Sequence, residues 1–296
     1  MEIGKKIKKI RLSKGITQSA LSGDKITRNM LSQIENGSAT PSLGTIIYIS
    51  EKLGMPVGYF LANEGEDVIY SKIAAMGEIK KAYRAGEYER CIALCSECKD
   101  GEDDELAMIL CECHFKIGES HLESARLVSS HRSLNTALHY AEKTLYNVEW
   151  IRISCYAYLD YISTLSPALR FEVTDRQHEM TESLVRIDLR TYTAAKRFIE
   201  NKEPDKAEKL LLAAHFEKTV LADHIRAKLE MYYGRYDGAL VIMQEALEKT
   251  EEKKPGDALL YSFYSDMEIC FRENKDFENA YIYATKKAEI LPEMGK

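Results

Sequence analysis

Proline is scarce in this sequence, with six in 296 residues, and strictly alternating runs of β-branched residues are missing. Both absences exclude a fold built mainly of strands. No apolar run reaches 18 residues, which excludes a membrane-spanning helix. The basic-then-apolar layout of a signal peptide is missing too, because Lys5, Lys6, Lys8 and Lys9 interleave with Ile3, Ile7 and Ile10 at helical spacing. The seven cysteines are an odd number. With no export signal they are expected as reduced thiols in a cytoplasmic protein rather than as a disulfide framework. There is no phosphate-binding loop, no nucleophile elbow and no pair of carboxylates with a credible cleft, and the histidines show no metal-ligand spacing. No catalytic residue, metal or cofactor is therefore expected, and the chain is not expected to be an enzyme.

What is present is helix. Apolar residues recur three and four apart through almost the whole chain, broken by short segments such as Arg84-Ala-Gly-Glu87, Asn201-Lys-Glu-Pro204, Tyr233-Gly-Arg235 and Asn274-Lys-Asp276. The length suits two domains. Residues 1–62 form the first, the polar, acidic stretch 63–68 is a linker, and residues 69–296 form the second. Charge divides at the same place. Residues 1–60 carry a net +5, and the rest of the chain a net −11. A basic head on an acidic body fits nucleic-acid binding by the head alone.

In the head, a first helix over about 3–14 is expected to bury Ile3, Ile7, Ile10 and Leu12. Thr17 caps a short second helix, and Thr27 caps a third over 28–35, with Met30, Leu31 and Ile34 turned to the core. Ser42 caps a fourth helix whose Leu43, Ile46, Ile47, Ile49 and Leu53 complete that core, and Gly54-Met-Pro56 leads into a short fifth. Three stretches carry a family pattern in order and spacing. They are Lys14-Gly15-Ile16-Thr17-Gln18 with Leu21, Leu31-Ser32-Gln33-Ile34-Glu35-Asn36-Gly37, and Pro41-Ser42 with Thr45, Leu53, Gly54 and Pro56. This set resembles the Cro/phage-repressor (Xre) helix-turn-helix family, departing from it at Ser22-Gly23-Asp24-Lys25. The resemblance implies a lambda-repressor-like DNA-binding domain whose third helix enters the major groove. Carried over by position, Thr27, Arg28, Asn29, Ser32 and Gln33 face the DNA. Arg28 suits guanine, and Asn29 and Gln33 suit adenine. Gln18, Asn36 and Ser38 are expected on or near phosphates, and Arg11 and Glu35 as a structural ion pair.

The body repeats. An aromatic residue or Pro followed three residues later by a small one recurs at Tyr88/Cys91, Pro204/Ala207, Tyr236/Ala239 and Phe277/Ala280, and more weakly as Leu122/Ala125. Cys91, Cys95 and Cys98 fall on buried positions of such a unit, so small apolar filling explains them better than zinc. Trp150, Tyr156, Tyr158, Tyr161 and Phe171 read as core or dimer surface. The pattern resembles the tetratricopeptide repeat. It implies an all-α chain in which the five-helix head is followed by a right-handed α-solenoid with a concave groove. Groove positions are then expected to include Lys80, Tyr83, Arg84, Tyr192, Lys196, His224, Lys228 and Arg272, a basic set suited to the carboxylate and backbone of an extended peptide.

A Cro-type head on such a body resembles the peptide-responsive bacterial regulators grouped as RRNPP (PlcR-like). That resemblance implies a cytoplasmic homodimer on a double-stranded DNA operator, gated by a short signalling peptide and with no membrane partner, acting in quorum sensing. The alternative is a repressor whose body is only a scaffold for dimerisation and protein contacts, without a peptide ligand.

Overall fold

The computed structural model describes residues 3–63, 67–98, 103–166, 184–213, 215–249 and 256–296, and every regular element among them is helical. Residues 64–66 of the expected linker, and Phe171, lie outside the described residues. By internal contacts the chain divides into residues 1–106 and 107–296.

The first unit opens with five helices, α1 (Ile3–Ser13), α2 (Gln18–Ser22), α3 (Arg28–Glu35), α4 (Leu43–Leu53) and α5 (Val57–Leu61). Three side chains start three of them. Thr17 Oγ1 accepts from the amide of Ala20, Thr27 Oγ1 from that of Met30, and Ser42 Oγ from that of Thr45. Each satisfies an amide that the first turn leaves without a partner. The core joins Ile7, Leu21, Leu31, Ile34, Ile49, Leu53, Tyr59 and Phe60. Four expected core residues are exposed instead: Leu12, Met30, Leu43 and Ile47. The reason is angular. Leu31, Ile34 and Glu35 form the inner stripe of α3, which leaves Met30 on its outer side. In α4 the buried residues Thr45, Ile46, Ile49, Ser50 and Leu53 put Leu43 and Ile47, one turn apart, on the flank.

Lys6 is a charged residue inside this core. Its ammonium donates to the carbonyls of Tyr59 (3.0 Å) and Ala62 (2.8 Å), closing the C-terminus of α5 where carbonyls lack partners. At Gly23 the chain turns with φ +52°, and an added Cβ would lie 2.4 Å from the Tyr48 hydroxyl. That hydroxyl donates to the Ser22 carbonyl at 2.9 Å, so a side chain at position 23 would push the Tyr48 ring off this bond. The unit continues with α6 (Asp67–Arg84) and α7 (Tyr88–Glu97). Tyr70 and Ala74 of α6 pack against the head's core.

The remaining helices are α8 (Asp104–Glu123), α9 (Leu127–Ala141), α10 (Glu149–Leu165), α11 (Ile187–Glu200), α12 (Pro204–Leu211), α13 (Val220–Tyr232), α14 (Tyr236–Glu248), α15 (Asp257–Glu273) and α16 (Phe277–Met294). In the second unit α11 packs with α12, α13 with α14 and α15 with α16, while the first helices of successive pairs also touch. This is tetratricopeptide-like stacking. Among the described residues one turn recurs five times. A single left-handed residue stands two positions before the second helix, at Gly86, Ala125, Lys202, Gly234 and Lys275. The following amide reaches back across the turn each time, as in Glu87 to Ala82 (3.0 Å) and Arg235 to Glu230 (2.8 Å).

The small residues Cys91, Ala207, Ala239 and Ala280 are all buried, as their spacing requires. The weak unit needs a shift. Ala125 is the left-handed turn residue, so the pair is Leu127/Ser130 instead of Leu122/Ala125. Ser130 is buried, and its hydroxyl donates to the Gly118 carbonyl at 2.8 Å, doing with a hydrogen bond what Ala does elsewhere. The cysteines are buried thiols. Burial pushes Cys95 and Cys111 up to about 12, which leaves them unreactive at neutral pH.

Candidate nucleic-acid interface and a polar seam in the body

The outer face of α3 is assembled from the inside. Arg11 grips Glu35 with two hydrogen bonds, Nε to Oε1 at 2.6 Å and Nη2 to Oε2 at 2.9 Å, and Nη1 donates to the Ile16 carbonyl at 2.8 Å. Gln18 Nε2 donates to the same Glu35 at 2.8 Å. The ion pair expected from the family resemblance is thus present. It ties α1, the start of α2 and the end of α3 together with bidentate, charge-assisted geometry. Gln18 is half-buried and held with its amide at the head of α2.

Thr27, Arg28, Asn29, Gln33, Asn36 and Ser38 are all exposed, and Ser32 is half-buried. Residues 28, 29, 32, 33 and 36 share one helical face by their spacing. Asn36 ends α3, where its amide donates to the Ser32 carbonyl at 3.1 Å. Ser38 donates its amide to the Gln33 carbonyl at 2.9 Å, which leaves the serine side chain on the surface beside Gly37 at φ +78°. The result is a rigid backbone presenting polar and cationic side chains outward.

Burial opposes ionisation of Glu35, but the hydrogen bonds from Arg11 and Gln18 and the guanidinium charge outweigh it, so its pKa lies below the usual carboxylate range. A carboxylate lowered in the folded state contributes stability above its unfolded pKa, near 4.3, and loses it as pH falls through the folded value. Acid titration of the head's unfolding is therefore expected to steepen below about pH 4. Glu35→Gln should flatten it, and an unchanged slope would refute the role given to this carboxylate.

The body's candidate residues separate into three groups. Lys80 and Arg84 are exposed on α6, with Lys80 Nζ 3.5 Å from Glu105, and Tyr83 rests edge-on against Tyr88. Arg272 is exposed near the end of α15 and close to Glu268. Tyr192, Lys196, His224 and Lys228 meet in the interior. Tyr192 and His224 are wholly buried, a correction to their expected place on an open groove. The reason is a chain of partners. The Tyr192 hydroxyl lies 2.8 Å from His224 Nδ1, and His224 Nε2 lies 2.9 Å from Asp266 Oδ2, which also accepts from Lys228 Nζ at 2.6 Å. The His224 ring stacks between Tyr192 and Phe263. Lys196 Nζ donates to the carbonyl and hydroxyl of Thr164, at 3.2 and 3.3 Å. Burial and the charge of Lys228 bring the Lys196 amine down to about 8.

Burial likewise lowers the pKa of His224, against the pull of Asp266, so its ring is neutral at pH 7. A neutral ring can accept from Tyr192 at Nδ1 and donate to Asp266 from Nε2, which gives the chain one direction. Burial opposes the charge on Asp266 too, yet Lys228 and His224 hold its pKa well below the carboxylate range. Asp266 and Thr164 carry this seam and were not singled out in the sequence. The visible signal was spacing, since Thr164, Lys196 and Lys228 fall 32 residues apart. No group of three or more metal-ligating side chains occurs among the described residues, and none of their helices is long and apolar enough to cross a membrane.

No curated protein matches the chain. Solved structures similar to it include Bacillus thuringiensis PlcR in complex with the peptide PapR7 and DNA, at 20% identity and TM-score 0.29 over 99% of this chain and 96% of that one. The Streptococcus dysgalactiae SHP pheromone receptor Rgg2 is similar at 14% identity and TM-score 0.20 over 99% and 100% of the two chains. A cysteine-to-serine form of Rgg2 is similar at 13% and 0.21 over 98% of each. The helix-turn-helix family model matches residues 7–60. With its five helices, three side-chain N-caps and the Arg11–Glu35 clamp behind α3, this head is a helix-turn-helix domain.

Proposed function

We propose that the chain is a sequence-specific DNA-binding transcriptional regulator, a homodimer whose repeat body binds a short peptide and thereby gates binding to a double-stranded operator. The observation that carries the DNA reading is the exposed α3 face of Arg28, Asn29 and Gln33, set on a clamped backbone inside a domain that matches the helix-turn-helix family. Arg28 can take guanine O6 and N7 together, and Asn29 or Gln33 can take adenine N6 and N7. In this reading Gln18, Asn36 and Ser38 contact phosphates. Two such helices must lie about 34 Å apart to read successive major grooves, so a body that alters the spacing of two heads controls affinity.

The test is selection of bound sequences from a randomised duplex pool, followed by the same measurement on Arg28→Ala. The variant is expected to lose about 1–3 kcal/mol and to accept any base at one position per half-site. Equal weakening on all sequences would mean that Arg28 contacts phosphate, and failure to select any sequence would refute the reading.

The peptide reading is supported by the basic seam along the first helices of the repeats, where Lys196 and Lys228 approach one another inside an otherwise acidic body. A second reading, in which the body is only a scaffold, draws on α16. Phe277, Tyr281 and Leu291 of that last helix are exposed, and an apolar outer face at the end of a repeat stack suits self-association. Full operator affinity with no response to any peptide would favour it.

A further inference from the structure

Four consecutive residues at the start of α3, Thr27, Arg28, Asn29 and Met30, are exposed. The first three are polar. Met30 is the apolar one, at 42% exposure, and no part of the head's core. Around the axis of α3 it stands between Gln33 and Ile34, about 60° from the first and about 40° from the second. Ile34, one turn further on, is buried at 2% exposure. Burial on this side of α3 thus begins only after its first turn, and the first turn projects. Hydrogen bonds fix it there. Thr27 Oγ1 accepts from the Met30 amide at 3.1 Å, and the Thr27 carbonyl accepts from the Leu31 amide at 3.0 Å. The hydroxyl oxygen of Thr27 is therefore engaged with the helix backbone, and its methyl group remains as apolar surface beside Met30.

A large apolar side chain held in water at the leading turn of a DNA-reading helix gains stability only when the duplex covers it. The base edges of the major groove offer it one apolar group, the 5-methyl of thymine, among donors and acceptors that suit polar side chains. Methionine fits that group well. It is unbranched and polarizable, and three rotatable bonds let it follow the groove. Arg28, Asn29 and Gln33 recognise guanine and adenine through hydrogen bonds, which do not detect a methyl group.

We propose that Met30, beside the methyl of Thr27, packs on the 5-methyl group of one thymine in each half-site and selects that base. The inference rests on the DNA reading above and adds an apolar contact to its polar ones. It makes Met30 a specificity-determining residue, selecting thymine over cytosine at a position the three polar readers do not set.

The experiment uses the full chain and the duplex selected from the randomised pool. Each thymine of a half-site is replaced in turn by deoxyuridine, which pairs identically and lacks only the methyl group. Binding of wild type is expected to weaken about fourfold at one thymine per half-site, the worth of one buried methyl, and to stay unchanged at the others. Met30→Ala should bind the thymine and uracil duplexes equally and melt at the wild-type temperature, because the side chain is exposed. Met30→Leu should keep the preference for thymine. The coupling between side chain and methyl isolates the contact from any effect of uracil on duplex shape. Indifference of wild type to uracil at every thymine would overturn the assignment and leave the DNA reading standing. The same uracil sensitivity in wild type and Met30→Ala would overturn it too, since another group would then read the methyl. A lowered melting temperature in Met30→Ala, with equal weakening on both duplexes, would show a purely structural methionine. Selection of no sequence by wild type would overturn the DNA reading and this inference together.

Discussion

Gly4→Ala is expected to destabilise the head by about 2–3 kcal/mol or more, although alanine is the better helix former. Gly4 lies in the first turn of α1, where that helix crosses α3. A Cβ built there would sit 1.8 Å from the Ile34 carbonyl oxygen and 2.8 Å from its carbon. Both are backbone atoms of α3 and cannot rotate aside. The helices must separate instead, drawing Ile7 from the core and Arg11 from Glu35. Propensity alone favours alanine by up to about 1 kcal/mol, so the two effects have opposite signs and the steric one is larger. Thermal melting and amide exchange in α1 and α3 measure the outcome, and operator affinity should fall with them because α3 carries the reading face. A stabilised variant would mean that α1 and α3 do not approach this closely.

Asp266→Ala is expected to cost the body about 3–5 kcal/mol. The substitution removes the one carboxylate that Lys228 and the His224 ring share, and strands a second cation beside Lys196. Removing one partner of a buried pair is far costlier than removing both, so Asp266→Ala with Lys228→Met should recover much of the loss. Urea denaturation of the two variants and wild type gives the comparison. The same carboxylate sets an acid limit. Its pKa is lowered in the folded state, so its contribution is present above about pH 4 and disappears as pH falls below that. If the single variant proves as stable as the double one, the ammonium of Lys228 has another partner.

Much of the head was legible in the sequence because its signals are local. Thr17, Thr27 and Ser42 cap helices whose amides lie three residues away, and a local hydrogen bond needs no knowledge of the fold. The starts of the second helices at Tyr88, Pro204, Tyr236 and Phe277 were legible for the same reason. Periodicity also marked Met30, Leu43 and Ile47 as core, and there it overreached. An apolar residue on the edge of a stripe is buried only if a neighbouring helix extends over it.

The sequence by itself determined the helical class, the five helices of the head with their caps, the outward set of Arg28, Asn29 and Gln33, and the small buried residues of each repeat. These follow from spacings of three and four along one chain. Only the tertiary structure decided that Lys6 closes α5, that Gly4 has no room for a methyl group, and that Tyr192 and His224 lie inside. It also decided that Asp266, 42 residues from His224, is the carboxylate on which the seam turns. Those contacts depend on how far one helix slides and rotates on the next, a property set by packing between segments distant in the chain and carried by no single stretch of it.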